Sequence, residues 1–162
     1  MLLSEAANTL QGKWLGQDLL LTSVSIDTRK LQPGDLYIAL QGHQFDGHDF
    51  IENACLQGAC AVMIQLDHWS SLQDKLQPLL EQKKIGVILV EDTRLALGAL
   101  AKIWQRAHPV KRVALTGSCG KTTVKEMVAA ILSQSGSVLA TQGNLNNDIG
   151  APLTLLKLTD QH

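Results

Sequence analysis

Apolar positions along the chain switch between a spacing of two and a spacing near 3.6, and the two patterns take turns. Leu2 to Leu10 places Leu2, Leu3, Ala6, Ala7 and Leu10 on one side of a short helix that Gly12 and Gly16 break. Leu19 to Ile26, rich in apolar and β-branched residues, predicts a strand. Leu31 to Asp35 reads as a turn centred on Pro33 and Gly34, and Asp35 to Leu40 as a second strand. The loop Gln41 to Gly47 leads to a helix over Asp49 to Gln57, with Phe50, Ile51, Ala54 and Cys55 inward and Gly58 as its stop. Cys60 to Ile64 is a short buried strand. His68 to Lys84, polar with spaced leucines, predicts a loose helix interrupted near Pro78.

Ile85 to Val90 is a continuous apolar run, as expected of a strand covered on both faces. Asp92 or Thr93 caps the next helix, which carries Leu95, Leu97, Leu100, Ile103 and Trp104 and stops at His108-Pro109. A strand over Arg112 to Leu115 precedes a small-residue loop and a helix from Lys121 to about Gln134. That helix has a stripe of Val124, Met127, Val128, Ile131 and Leu132. Gly136 ends it, Val138 to Ala140 reads as a short strand, and Asn147 to Leu158 as a final helix with Pro152 near its start. Strand and helix alternate throughout, which predicts an α/β protein with mostly parallel pairing. A boundary near Glu91 divides it into residues 1–91, a complete small α/β unit, and 92–162, the start of a phosphate-loop parallel-sheet domain.

Composition changes this picture little. With 162 residues, 45% hydrophobic and 18% charged, the chain has the makings of a globular core without staples. The 14 basic and 15 acidic residues leave a net charge of −1, so no basic field is available for nucleic acid or anionic lipid. The first residues lack an export signal and no window is apolar enough to span a bilayer, so a cytoplasmic protein without membrane insertion is expected. Three cysteines, Cys55, Cys60 and Cys119, fit reduced thiols in that compartment.

Chemistry concentrates at Val113 to Val124. A strand feeds a loop without bulky side chains, then a lysine, two hydroxyls and a helix, the order of parts a phosphate-binding loop needs. Backbone amides of Gly117, Ser118, Cys119 and Gly120 can point at phosphate oxygens, Lys121 can reach the terminal phosphates, and Thr122, followed by Thr123, can offer its hydroxyl to Mg²⁺. The usual pattern has a glycine six residues before the lysine, where this chain has Leu115; the loop is a shorter T-G-x-x-G-K-T-T form. Cys119 sits near a helix N-terminus, a place that can activate a thiol, although any small side chain fits there.

Three further stretches are polar. Asp27 to Lys30 closes a strand, and Arg29 offers a planar fork for phosphate or carboxylate, or is simply solvated. Gly42 to His48 holds His43 and His48 without a cysteine or carboxylate at ligand spacing, which argues against zinc and leaves ligand hydrogen bonding or a solvated loop. Thr141 to Gly150, rich in asparagine, follows a strand end where parallel sheets bind ligands, and it can equally cap the next helix.

Taken together, these stretches resemble the N-terminal third of a Mur ligase. The resemblance rests on Asp27-Thr-Arg-Lys-Leu-Gln-Pro-Gly-Asp35, Gly42-His-Gln-Phe-Asp-Gly-His-Asp-Phe50, Glu91-Asp-Thr-Arg-Leu-Ala-Leu-Gly98, Ala114 to Met127 and Gly143 to Leu156. Gly143-Asn-Leu-Asn-Asn-Asp-Ile-Gly150 is the mark of the branch that adds D-alanyl-D-alanine. The resemblance implies that Gly117 to Thr123 bind ATP, with Lys121 on the phosphates and Thr122 near Mg²⁺ as the catalytic pair. It implies that the first domain holds UDP-N-acetylmuramoyl-tripeptide through Thr28, Arg29, His43 and Gln44, and that Asn146 and Asn147 lie between ATP and peptide. The implied reaction forms an acyl phosphate, which the amine of D-alanyl-D-alanine then displaces. Family members are much longer, so a monomeric, inactive fragment is expected. The alternatives are a non-catalytic nucleotide-sugar or ATP-binding module, another Mur ligase, or a folylpolyglutamate synthase.

Overall fold

The computed structural model describes residues 1–42, 44–143 and 145–162, and the chain divides into two compact units, 1–97 and 98–162. In the first unit, helix α1 (Leu3–Thr9) is followed by strands β1 (Lys13–Leu15), β2 (Val24–Ser25) and β3 (Leu36–Ile38). Helix α2 (Ile51–Gln57), strand β4 (Ala61–Gln65), helix α3 (Leu66–Lys83) and strand β5 (Gly86–Val90) complete it, and α4 (Thr93–Ala107) leads out of it. The strands form one sheet in the order β1-β5-β4-β3-β2. β2, β3, β4 and β5 run parallel; β1 is antiparallel to β5, with Trp14 opposite Ile88. The expected α/β class with mainly parallel pairing is therefore what the first unit has.

Every position of β3 and β5 is buried, because helices cover both faces. Side chains alternate along each strand. Tyr37, Val62, Ile64, Val87 and Leu89 form one cluster with Ile51, Ala54 and Cys55 of α2 and Leu76 of α3. On the other face Gly86 makes room for α1: a Cβ there would lie 2.8 Å from Leu3 Cδ1.

Several elements depart from the sequence pattern. The residues between Gly12 and Gly16, for which the pattern predicts no element, form strand β1. The run from Leu19 to Ile26 contributes only Val24–Ser25 to the sheet, since Leu19 to Leu21 bonds to the start of the chain instead (Leu3 N–H to Leu19 O, 3.0 Å; Leu21 N–H to Met1 O, 2.9 Å). Phe50 is exposed, not inward. α3 is one continuous helix through Pro78. The Asp74 carbonyl that Pro78 cannot serve lies on an exposed stretch, open to solvent. Asp92 caps α4 by accepting from the amides of Arg94 (2.7 Å) and Leu95 (2.9 Å). That phase buries Thr93, Ala96, Leu97, Leu100 and Ala101 and turns Leu95 out to 73% exposure.

The second unit contains α5 (Lys121–Leu132) and α6 (Gly150–Leu155). The strands expected at Arg112 to Leu115 and Val138 to Ala140 are not paired into a sheet among the described residues. Both segments instead line an open cavity of about 580 Å³ together with Val128 and Leu132 of α5. A strand needs a partner within hydrogen-bonding distance, and an apolar run alone does not supply one. The last helix is also shorter than its pattern, six residues instead of Asn147 to Leu158. α5 buries none of its residues: its stripe stands exposed at Val124 (44%), Met127 (60%), Ile131 (66%) and Leu132 (44%).

Candidate functional site

The loop before α5 is shaped by two glycines. Gly117 (φ 148°) and Gly120 (φ 79°) adopt positive φ angles that side chains disfavour. Gly120 is the last residue before the helix, and its carbonyl accepts from Val124 N–H at 3.0 Å. The amides of Lys121, Thr122 and Thr123 therefore have no acceptor within the helix, and they sit at the positive end of its dipole. Gly117, Ser118, Cys119, Gly120, Thr122 and Thr123 are all exposed. Lys121, half-buried, folds back so that its ammonium donates to the Gly117 carbonyl. An open loop with unpaired amides and a lysine on an exchangeable carbonyl fits a polyphosphate, and the exposed Thr122 hydroxyl fits a water of its Mg²⁺.

One turn further along α5, Lys125 donates to the Thr141 carbonyl and pairs with Glu126 at 2.9 Å. This contact brings the start of the asparagine-rich segment against the helix of the loop. Sequence reasoning passed over Lys125; its signal was the spacing of four from Lys121, which puts both ammonium groups on one helix face. Asn147 turns its side chain onto its own chain: Oδ1 accepts from Gly150 N–H at 2.7 Å at the start of α6. Asn146 is exposed. Gly150 is required, because a Cβ there would come within 2.5 Å of Leu145 Cα.

In the first unit the polar residues gather beyond the carboxyl ends of β2, β3 and β4, the edge where parallel sheets bind ligands. Asp27 caps a short 3₁₀ turn, Thr28–Lys30, by accepting from Arg29 N–H at 3.0 Å. The Arg29 side chain turns back onto the same carboxylate through Nε (2.9 Å) and Nη2 (2.8 Å). These hydrogen bonds hold the Asp27 carboxyl down at about 2. Thr28 is buried and Gln44 exposed; His43 lies outside the described residues. Tyr37, beneath this edge, donates to Gly47 O at 3.0 Å. Burial, then the carboxylates of Asp27 and Asp46, push its phenol up to about 12.

His48 is buried and both its ring nitrogens are engaged. Nδ1 meets Asp46 Oδ1 at 2.6 Å, and Nε2 accepts from Gln65 N–H at 3.1 Å. The ring stacks on His68, centroids 3.9 Å apart and planes 12° from parallel. Burial lowers the His48 pKa and outweighs the pull of Asp46 in the other direction. Burial likewise pushes the Asp46 carboxyl up, but the hydrogen bonds from His48 outweigh it and leave it below the usual range. Ligand atoms of Asp46, His48 and His68 lie within 4.8 Å of one another. They do not suit a metal: a backbone N–H on Nε2 leaves the ring's one proton on Nδ1, and metal there would require an imidazolate. The sequence pointed to His48 in its loop but gave no sign of His68, which the fold brings from α3.

The chain is similar to known proteins along nearly its whole length. The profile described as Mur ligase family, catalytic domain matches residues 20–105, and that of the Mur ligase middle domain matches residues 115–162. The chain is 48% identical over 160 residues to the UDP-N-acetylmuramoyl-tripeptide--D-alanyl-D-alanine ligase of Escherichia coli, covering 99% of this chain and 32% of that protein. The ligase of the same name from Haemophilus influenzae is 42% identical over 163 residues, 98% of this chain and 33% of its own length. A crystal structure of MurF from Acinetobacter baumannii aligns over 98% of this chain and 33% of that one, with a TM-score of 0.78 and 34% identity. A MurF ligase from Thermotoga maritima in complex with ADP aligns over 86% of this chain and 30% of that one, with a TM-score of 0.66 and 31% identity. The chain spans about a third of the length of these relatives. With the first profile alone matching more than half of its residues, the chain belongs to the Mur ligase family.

Proposed function

We propose that this chain is the N-terminal part of an ATP-dependent ligase of peptidoglycan precursor synthesis that joins D-alanyl-D-alanine to UDP-N-acetylmuramoyl-tripeptide. The observation that carries the reading is the joint occurrence, along nearly the whole chain, of 48% identity to a ligase of that name and an open phosphate loop at Gly117 to Thr123. Residues 1–91 form the UDP-muramyl-peptide domain and 92–162 the first part of the ATP domain. The enzyme works in the cytoplasm as a monomer.

The proposal gives each residue a role. The amides from Gly117 to Thr123 surround the phosphates, and the Lys121 ammonium exchanges the Gly117 carbonyl for phosphate oxygens, neutralising charge as the peptide carboxylate attacks the γ-phosphate of ATP and ADP leaves. Thr122 would hold a Mg²⁺ through its hydroxyl, and the ion would supply positive charge against the phosphates. The amine of D-alanyl-D-alanine then attacks the resulting acyl phosphate, and phosphate leaves. Thr28, Arg29, His43 and Gln44 bind the UDP-sugar, with the outward N–H edge of Arg29 on the diphosphate. Asn146 reaches toward the peptide, and Asn147 shapes the turn that presents it.

Calorimetry tests the reading. The chain should bind MgATP and UDP-N-acetylmuramoyl-tripeptide, Lys121→Ala should lose the first only, and D-alanyl-D-alanine should give no turnover. Absence of UDP-muramyl-tripeptide binding overturns the role of residues 1–91, and turnover by the isolated chain overturns its being a part.

A further inference from the structure

The loop between β3 and α2 is closed on itself: Gly42 N–H donates to Phe45 O (2.9 Å) and Gly47 N–H to Leu40 O (2.9 Å). Gln41 bridges Asp46 at its base. A chain of hydrogen bonds through His48 joins that base to β4, beside the Tyr37 bond to Gly47 O and the stack of His48 on His68. Asp46 Oδ1 accepts both the amide (2.9 Å) and Nδ1 (2.6 Å) of His48. Nε2 of His48 accepts the amide of Gln65 (3.1 Å), the last residue of β4 and the one before α3. Because Gln65 N–H can only donate, the ring is fixed in the neutral tautomer with its proton on Nδ1.

A second proton has one place to go, Nε2, and there it would point at another N–H. Protonation therefore removes the Gln65 bond and loosens the loop base from the end of β4, while the Tyr37 bond to Gly47 O remains. The charged groups around the ring are few. Asp46 faces Nδ1 from the loop and favours the cation; Asp67 on α3 adds a weaker pull the same way. His68 on α3, stacked at 3.9 Å, opposes it, and the Tyr37 phenol on β3 stays neutral and bonds Gly47 O.

We infer that His48 is a positioning residue for the 41–47 loop, and that its neutral form is required for nucleotide-sugar binding, so that affinity falls as the medium becomes acidic. The inference rests on the reading that residues 1–91 hold a UDP-sugar, because His43 and Gln44 are carried by this loop. His48 touches no ligand itself; it sets where the loop stands. Burial of the ring places the transition below the ordinary histidine range.

The test is calorimetric titration of the chain with UDP-N-acetylmuramoyl-tripeptide, whose diphosphate diester does not titrate in the histidine range, from roughly pH 5 to 8. Affinity should be flat at the upper end and fall by about tenfold per pH unit once His48 takes up its proton. His48→Asn keeps a donor for Asp46, and His48→Gln keeps an acceptor for Gln65; both should bind more weakly at pH 8 and lose the acid fall. His43→Asn, whatever its affinity, should keep the fall. In the wild type, ¹⁵N spectra should show Nε2 of His48 and the Gln65 amide titrating together, a readout that needs no variant to fold. Equal wild-type affinity at both ends, or a fall that the His48 variants retain, overturns the inference while leaving the UDP-sugar reading intact. No binding at pH 8 overturns that reading and the inference with it.

Discussion

Asp27 occupies one whole edge of the Arg29 guanidinium, with Nε on Oδ1 at 2.9 Å and Nη2 on Oδ2 at 2.8 Å. The arginine side chain is 86% exposed, so water screens the pair and it adds little to the stability of the fold. Its effect is on direction: the other edge of the fork is left facing outward. Arg29→Ala should therefore melt close to the wild type while its affinity for UDP-muramyl-tripeptide drops roughly ten- to hundredfold, the value of a charge-assisted hydrogen bond or two. Paired melting curves and calorimetry decide it, and an equal loss in stability would mark Arg29 as structural.

The same pair sets an acid limit. The folded Asp27 carboxyl sits at about 2 against an ordinary 3.8, so the folded chain binds this proton less readily than the unfolded one. Its contribution is complete above the ordinary value and disappears as pH falls through about 2. The gap in melting temperature between wild type and Asp27→Asn should be largest near neutrality and close as pH falls to that point. A gap independent of pH would show that the carboxylate's charge is not what matters.

Lys121 donates to a carbonyl of an exposed loop. Removing it should change stability by less than about 0.5 kcal/mol, as for surface substitutions generally. MgATP binding should nevertheless weaken by at least about tenfold in Lys121→Ala. An unchanged nucleotide affinity would remove the phosphate loop from the proposed function.

Lys125 ties α5 to the carbonyl of Thr141. Without an ammonium there, in Lys125→Met, the backbone around Thr141 should exchange its amides and be cut by protease faster than in wild type, by about tenfold or more, the equivalent of one charge-assisted hydrogen bond. Lys125→Arg, which can still donate, should restore most of the protection. Identical exchange in all three proteins would show that the strut does not hold the segment.

Ile88 lies fully buried in the strand covered on both faces. Ile88→Ala should cost about 2–5 kcal/mol in denaturant unfolding, through lost burial and the cavity left behind. A cost below 1 kcal/mol would mean that the helices collapse onto the gap.

Features that a few neighbouring residues decide were readable in the sequence. Gly58 closes α2 in a left-handed conformation, Asp92 caps α4, the run to Val90 is buried on both faces, and the loop at Gly117 to Lys121 opens a helix. Features that depend on partners distant in sequence were not. β1 is three exposed residues and exists only because Lys13 to Leu15 finds Val87 to Leu89. Val113 and Val138 have the composition of strands but no ladder. On α4 a helical phase differing by one residue exchanged Leu95 for Ala96, a distinction that side-chain size hides. At the candidate site, Arg29 and the loop lysine were legible as chemistry. The grip of Asp27, the stack of His48 on His68 and the reach of Lys125 are tertiary facts.

The bare face of α5 has a practical result for anyone handling this chain. Val124, Met127, Ile131 and Leu132 present a continuous greasy strip on a fully folded molecule. Environment-sensitive dyes report such surface, and their fluorescence is commonly taken as a sign of partial unfolding. Here the native protein should already light them up, so a dye-based thermal scan should start from a high baseline and understate the transition. Far-ultraviolet dichroism or intrinsic tryptophan emission is the sounder readout.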